Sequence, residues 1–156
     1  MKFTTREDIE APINAVFERV SDFATYEKRA MRQGADVTRR SGDPVNVGTI
    51  WDVKFDFRGR PRALEAEIIR LDDPTNLMIE SRSEGLDAVT EIDLVALSQT
   101  RTRVMVSIDV KAKTLTARLL LQSLKLAKAK LTKRFKGRVR TMAEDIEDEY
   151  RRSVPR

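Results

Sequence analysis

Chemistry near neutral pH usually falls to histidine or cysteine, and this sequence contains neither. Histidine titrates closest to neutrality and is the commonest general base and metal ligand. Their joint absence excludes Ser-His-Asp and Cys-His sites, thiolate chemistry, disulfides and the usual zinc centres. Any reaction would rest on carboxylates, Lys, Arg, Tyr, Ser or Thr, or on a bound cofactor, and the balance tilts toward binding. Glu7 is the first candidate. It alternates with Phe3, Thr5 and Ile9 on one face of a segment whose other face carries Lys2, Thr4, Arg6, Asp8 and Glu10. A carboxylate turned toward an apolar interior must find a partner, or its pKa rises. Glu7 is therefore the one possible polar anchor or general base, set against the plainer expectation of a wet strand end or an Arg partner.

A second grouping is acidic. Asp52, Asp56, Glu65 and Glu67 alternate on adjoining segments, and oxygen-ligand metal sites need such groups to converge on one point. Asp52 and Asp56 share their face with Lys54. A solvated face crossed by ion pairs is the better expectation, with no metal and no cofactor. The six glycines are scattered, with none of the spacing that phosphate loops require.

The third grouping is basic. From Arg101 to Arg140 there are thirteen Lys or Arg and one acid, Asp109, so the net charge of +5 is concentrated here. The stretch Lys125–Arg140, KLAKAKLTKRFKGRVR, is its densest part. It suits an anionic membrane surface, nucleic acid phosphates or an acidic protein, or simply a solvated helix face. With one Trp and two Tyr in the chain, base stacking has little to work with, which argues against sequence-specific nucleic-acid reading.

These groups need elements to hold them. The period of two over the first ten residues predicts a half-buried strand. Ala11-Pro12 breaks it, and Ile13, Val16, Phe17 and Val20 then recur at helical spacing up to Ser21-Asp22. A second short helix is expected over Ala24 to Arg32, ended by Gly34. From Ala35 to Ala112 the pattern is strands and turns, with turns at Gly42-Asp43-Pro44, Gly59 to Pro61, Asp72-Asp73-Pro74, Gly85 and Gln99-Thr100. Short connections favour an antiparallel meander. After Thr114 apolar residues step by three, four or seven from Leu120 through Ala127 and Met142 to Tyr150, which predicts one helix of about 35 residues, bent slightly at Gly137. The stripe of that helix and the apolar side of the sheet would cover each other.

The order strand, two short helices, six strands, long helix resembles the helix-grip domains of the START-like superfamily. That group includes polyketide cyclases and dehydrases, lipid-transfer domains and birch-pollen-type allergens. The most specific likeness is IEAPINAVFERVSDF, Ile9 to Phe23, joined by Gly48, Trp51, the Asp73-Pro74 turn and the hairpin from Leu94 to Val106. The resemblance implies an α+β fold, a curved seven-stranded antiparallel sheet with two short helices and a long C-terminal one. It spans a single domain, residues 1–152, with a frayed tail at 153–156. It also implies a cavity between sheet and helix for lipids, polyketides or quinone-like molecules. The His-based sites of several aromatase and cyclase relatives have no counterpart here.

The candidate lining follows from the faces. One strand contributes Trp51, Val53, Phe55 and Phe57; the next two contribute Leu64, Ile68, Leu77 and Ile79. The last strand adds Val104, Val106 and Ile108, and the helix adds Leu120, Leu124, Leu131 and Phe135. Periodicity alone leaves a packed core and an open cavity equally possible; the resemblance favours the cavity. The expected function is binding, sequestration or transfer of a hydrophobic small molecule. The alternatives are a cyclase- or dehydratase-like enzyme using Glu7, and a basic adaptor for anionic membranes or RNA. The opening MKFTTREDIE has no apolar core of a secretory signal and no run is long enough to span a bilayer, so a cytoplasmic location is expected.

Overall fold

The computed structural model describes residues 1–155. Strand β1 (Lys2–Ile9) leads into helices α1 (Ile13–Val20) and α2 (Phe23–Arg32). Six strands follow: β2 (Asp36–Arg39), β3 (Ile50–Phe57), β4 (Arg60–Asp72), β5 (Asn76–Ser83), β6 (Leu86–Ala96) and β7 (Thr102–Ala112). Helices α3 (Leu115–Lys125) and α4 (Lys128–Ser153) end the chain. The strands form one antiparallel sheet in the order β1-β7-β6-β5-β4-β3-β2. The meander thus returns its last strand to the first, and β1 pairs along β7 from Lys2↔Asp109 to Ile9↔Thr102. No described helix is long and apolar enough to cross a membrane.

Local chemistry sets the boundaries. Pro12 is extended (φ −62°, ψ 151°) and immediately precedes α1. Asp22 caps α2 by accepting from the Thr25 amide, and Thr114 caps α3 by accepting from the Ala117 amide at 3.1 Å. In the long strand β4 the register slips between Ile68 and Arg70, a bulge of the kind that bends and twists a strand.

The packed core lies at one end of the sheet. Ile9, Val16, Val20, Ile68 and Val104 are fully buried, and Val139, Ala143 and Ile146 of α4 close over them. Burying one such aliphatic side chain contributes about 1.5–3 kcal/mol. Two further contacts join α4 to this end: Arg19 Nε lies 2.6 Å from Glu149, and the Glu10 amide donates to Glu147 at 2.8 Å. These, with Arg151 beside Glu147 and Asp148, account for the acidic C-terminal segment.

One expectation is corrected. The C-terminal apolar stripe does not belong to a single rod. The helix breaks at Leu126-Ala127, where Ala127 leaves helical geometry (φ −105°, ψ 17°), and α4 runs uninterrupted through Gly137. Neither a glycine nor a proline stands at the break. Its cause is tertiary: α3 docks on β7, whereas α4 docks on β1 and α1.

Candidate functional site

The break leaves a space. Phe3 of β1 and Ile108 of β7 are register partners on the helix-facing side, and Val110 follows on the same face. Leu121 and Leu124 of α3 and Leu131 and Phe135 of α4 face them across a cavity of about 290 Å³. The rings of Phe3 and Phe135 stand 5.9 Å apart, tilted by 52°. Met1, Arg134 and Arg138 complete the lining. The two arginines, four residues apart, share one side of α4; both are exposed and neither has a carboxylate partner among the described residues. The lining holds no carboxylate, hydroxyl or lysine side chain. The site is an apolar chamber, broadly open to solvent, with a cationic rim, and is at the small end of ordinary ligand-site volumes.

The structure brings together four of the expected lining residues: Ile108, Leu124, Leu131 and Phe135. Trp51, Ile68, Leu77, Val104 and Val106 are instead packed in the core. Val53, Phe55, Leu64 and Ile79 lie on the same sheet face but are half-buried, on strands away from those that α3 and α4 chiefly cover. Two assignments are corrected. Phe57 is 50% exposed at the end of β3, with the Arg58 and Arg62 guanidinium carbons 5.4 and 6.0 Å from its ring centre. Leu120 is half-exposed beside the cavity face of α3, and Leu121 takes its place. Phe3, Val110 and Leu121 were missed, although all three were within reach of the sequence: Phe3 alternates with Ile9, Val110 shares the face of Ile108, and Leu121 lies one turn before Leu124. Arg134 and Arg138 read only as part of a basic run.

Glu7 is not free. Its carboxylate lies 3.5 Å from Arg140 Nε, so the acid on the apolar face lies beside an Arg, one of the two outcomes the plainer reading allowed. The acidic alternation is also spoken for. Arg40 bridges Asp52 and Glu65 at 2.7 and 2.6 Å, and Arg82 bridges Glu65, Glu67 and Glu80. Hydrogen bonds from these guanidinium groups hold the carboxyls of Asp52 and Glu65 below the usual range.

A further constellation escaped the sequence reading. Glu27 of α2 accepts from both Nε and Nη2 of Arg39, at 3.1 and 2.6 Å, and from the indole N–H of Trp51 at 2.9 Å. The Arg39 hydrogen bonds, followed by that of Trp51, lower its pKa against the opposing effect of burial. Both carboxylate oxygens are committed to β2 and β3, so the group fastens helix α2 to the sheet edge. Nothing in the pattern around Glu27 distinguishes it from an ordinary helix-surface acid.

The family described as polyketide cyclase / dehydrase and lipid transport matches over residues 1–148. No curated protein matches the sequence. Among solved structures, norcoclaurine synthase from Thalictrum flavum, in complex with dopamine and hydroxybenzaldehyde, superposes with a TM-score of 0.67 at 15% identity, covering 100% of this chain and 89% of its own. A Streptomyces aromatase/cyclase, Zhui, gives 0.64 at 13% identity over 94% of this chain and 93% of its own. A protein from Thermus thermophilus gives 0.61 at 16% identity over 94% and 97%. At such identities the likeness is one of fold.

Proposed function

Since the chain belongs to the polyketide cyclase / dehydrase and lipid transport family, we propose that it binds a small apolar molecule with an acidic or strongly polar end, in the chamber between β1, β7, α3 and α4. The observation that carries this reading is the chamber itself: a space of about 290 Å³ with apolar walls and, at the rim, two arginines without acidic partners among the described residues. Apolar surface removed from water contributes about 25 cal/mol per Å², before the costs of association. The guanidinium groups supply orientation, since Arg offers donors in a fixed fork suited to carboxylates and phosphates. Binding is favoured over turnover. A guanidinium stays protonated at any pH the protein meets, so it cannot act as a base, and the lining offers no other side chain to move a proton.

Native mass spectrometry of the gently purified protein tests this first. The expected result is a co-purifying species of a few hundred daltons, absent from a Val110→Trp variant whose indole occupies the chamber. If the purified protein carries nothing, and a panel of fatty acids and polycyclic aromatics gives no saturable binding, the proposal fails.

A further inference from the structure

Helix α3 is apolar on two sides. Ala117, Leu121 and Leu124 turn toward β7 and the chamber, but Leu115, Leu119 and Leu126 are 73%, 59% and 92% exposed. The exposed three are separated by four and seven residues, so they form one line along the outer side of the helix, opposite Ala117. Single exposed leucines are ordinary on protein surfaces. A helical line of them, interrupted only by Gln122 and ending at the corner where α3 meets α4, is more than scattered exposure. Neutral Thr116 and Ser123 border it, and every charged residue around it is a cation. Arg118 and Lys125 flank the leucines on α3, and Lys128, Lys130 and Lys133 continue along the first turns of α4. No acid occurs between Asp109 and Glu144. Ion pairs appear only beyond the two ends, Lys113 with Asp87 and Arg140 with Glu7; between them no cation from Arg118 to Arg138 has a carboxylate partner among the described residues.

We propose that α3 and the start of α4 form a docking surface for anionic lipid bilayers. Leu115, Leu119 and Leu126 enter the boundary between headgroups and acyl chains, and the flanking Lys and Arg meet the anionic headgroups. An interfacial helix needs an apolar line, cationic flanks and low overall hydrophobicity, and α3 with its corner has all three. Charge complementarity selects this occupant over others. Nucleic acid would use the cations but leave the leucines in water, and the patch has no aromatic side chain on which a base could stack. A second copy of the chain would bury the leucines but bring two cationic rims together. The inner face of the same corner walls the chamber through Leu121, Leu124 and Leu131, so docking through the outer face would hold the chamber on the far side of α3 from the bilayer. The proposal itself stands on the outer face and does not require any particular chamber ligand.

Co-sedimentation with vesicles decides the matter, comparing phosphatidylcholine alone with phosphatidylcholine mixed with phosphatidylserine. The intact protein should bind the mixed vesicles and not the neutral ones. Each cation near an anionic leaflet contributes about fivefold to binding, so Lys130→Ala with Lys133→Ala should weaken it about 25-fold. Leu119→Ser with Leu126→Ser leaves the charge unchanged and should still weaken it at least about tenfold, because the apolar insertion is lost. Thermal melting of both variants should match the parent, since all four side chains are exposed. Binding that ignores phosphatidylserine, or that ignores the leucines, would overturn the proposal. So would tighter binding to a single-stranded RNA, leucine-dependent self-association without vesicle binding, or no binding at all. Probe titration of the chamber is a separate readout and survives any of these outcomes.

Discussion

The chamber is apolar in its walls and cationic at its rim, and these two properties can be separated experimentally. Two fluorescent probes serve: anilinonaphthalene sulfonate, which carries an anionic group, and phenylnaphthylamine, which is similar in shape and neutral. Replacing Arg134 and Arg138 together by Gln removes both rim charges while leaving Phe3, Ile108, Leu124, Leu131 and Phe135 untouched. A pair of opposite charges at 4 Å is worth about 1 kcal/mol in water and about 4 kcal/mol at a typical protein surface. Both arginines are exposed, which places them toward the lower figure. At about 1 kcal/mol each, the double variant should bind the sulfonate probe about thirtyfold more weakly. The neutral probe should shift by less than about twofold, since its affinity comes from burial alone. Added salt should weaken the sulfonate probe in the parent protein and lose most of that effect in the variant. Fluorescence titration reads all three. Equal weakening of both probes would mean that the arginines act through the shape of α4, and an unaffected sulfonate probe would mean that the rim does not touch the ligand. Either result refutes the reasoning.

Other outcomes follow from other parts of the molecule. Val110→Trp should abolish binding of both probes and leave the melting temperature within a few degrees of the parent; retained binding would place the probes elsewhere. Gly85→Ala should cost about 2 kcal/mol in urea unfolding, because Gly85 is at φ +80° and an added Cβ would lie 2.5 Å from Thr114 Oγ1, the cap of α3. Combined with Thr114→Ala, it should cost less than the sum of the two single changes, since the cap hydroxyl that Gly85→Ala displaces is already gone. Glu27→Gln should cost about 2 kcal/mol at neutral pH through the weakened Arg39 and Trp51 hydrogen bonds. Because the Glu27 pKa is depressed in the folded protein, its contribution is full above the ordinary value of 4.5 and fades as pH falls through the lower folded value. The gap in thermal stability between parent and Glu27→Gln should therefore close on acidification, and a gap that widens would show the charge is not stabilising. Ile146→Ala, at the centre of the contact between α4 and the core, should cost about 2–5 kcal/mol in the same unfolding assay.

The strands were legible because their period survives folding: the alternation around Phe3 and Trp51 marks the inward face of β1 and β3, and the register pairs Trp51 with Ala66 and Val53 with Leu64 on that face. Alternation assigns a side, however, and not the extent of the covering layer. Phe57 obeys the pattern and still lies in solvent, stacked by arginines, because β3 outruns whatever covers it. Glu7 illustrates the reverse: its inward position was readable, but the Arg140 that lies beside it comes from more than a hundred residues away. Glu27 left no signal at all, since its partners Arg39 and Trp51 meet it only after α2 has folded onto the sheet.

The helix break was illegible for a stronger reason. The residues around it, KLAKAK, are good helix formers, and local propensity predicts that the helix continues. The apolar stripe keeps its steps of three and four through this point, so periodicity predicts continuity as well. What overrides both is that β1 and β7 each take one helical segment, Ala117 and Leu121 going to one and Val139, Ala143 and Ile146 closing the core beside the other. A rod that kept its phase would have to lift one of those contacts. Breaking at Leu126-Ala127 keeps both, at the cost of an unfilled corner between Leu124 and Leu131. The chamber is therefore not a gap left by undersized side chains that larger ones could be expected to fill during repacking. It follows from docking two helices on two strands of a curved sheet. Restoring the continuous helix would close the chamber, while the outer leucine line, which is set by helical spacing, would stay exposed.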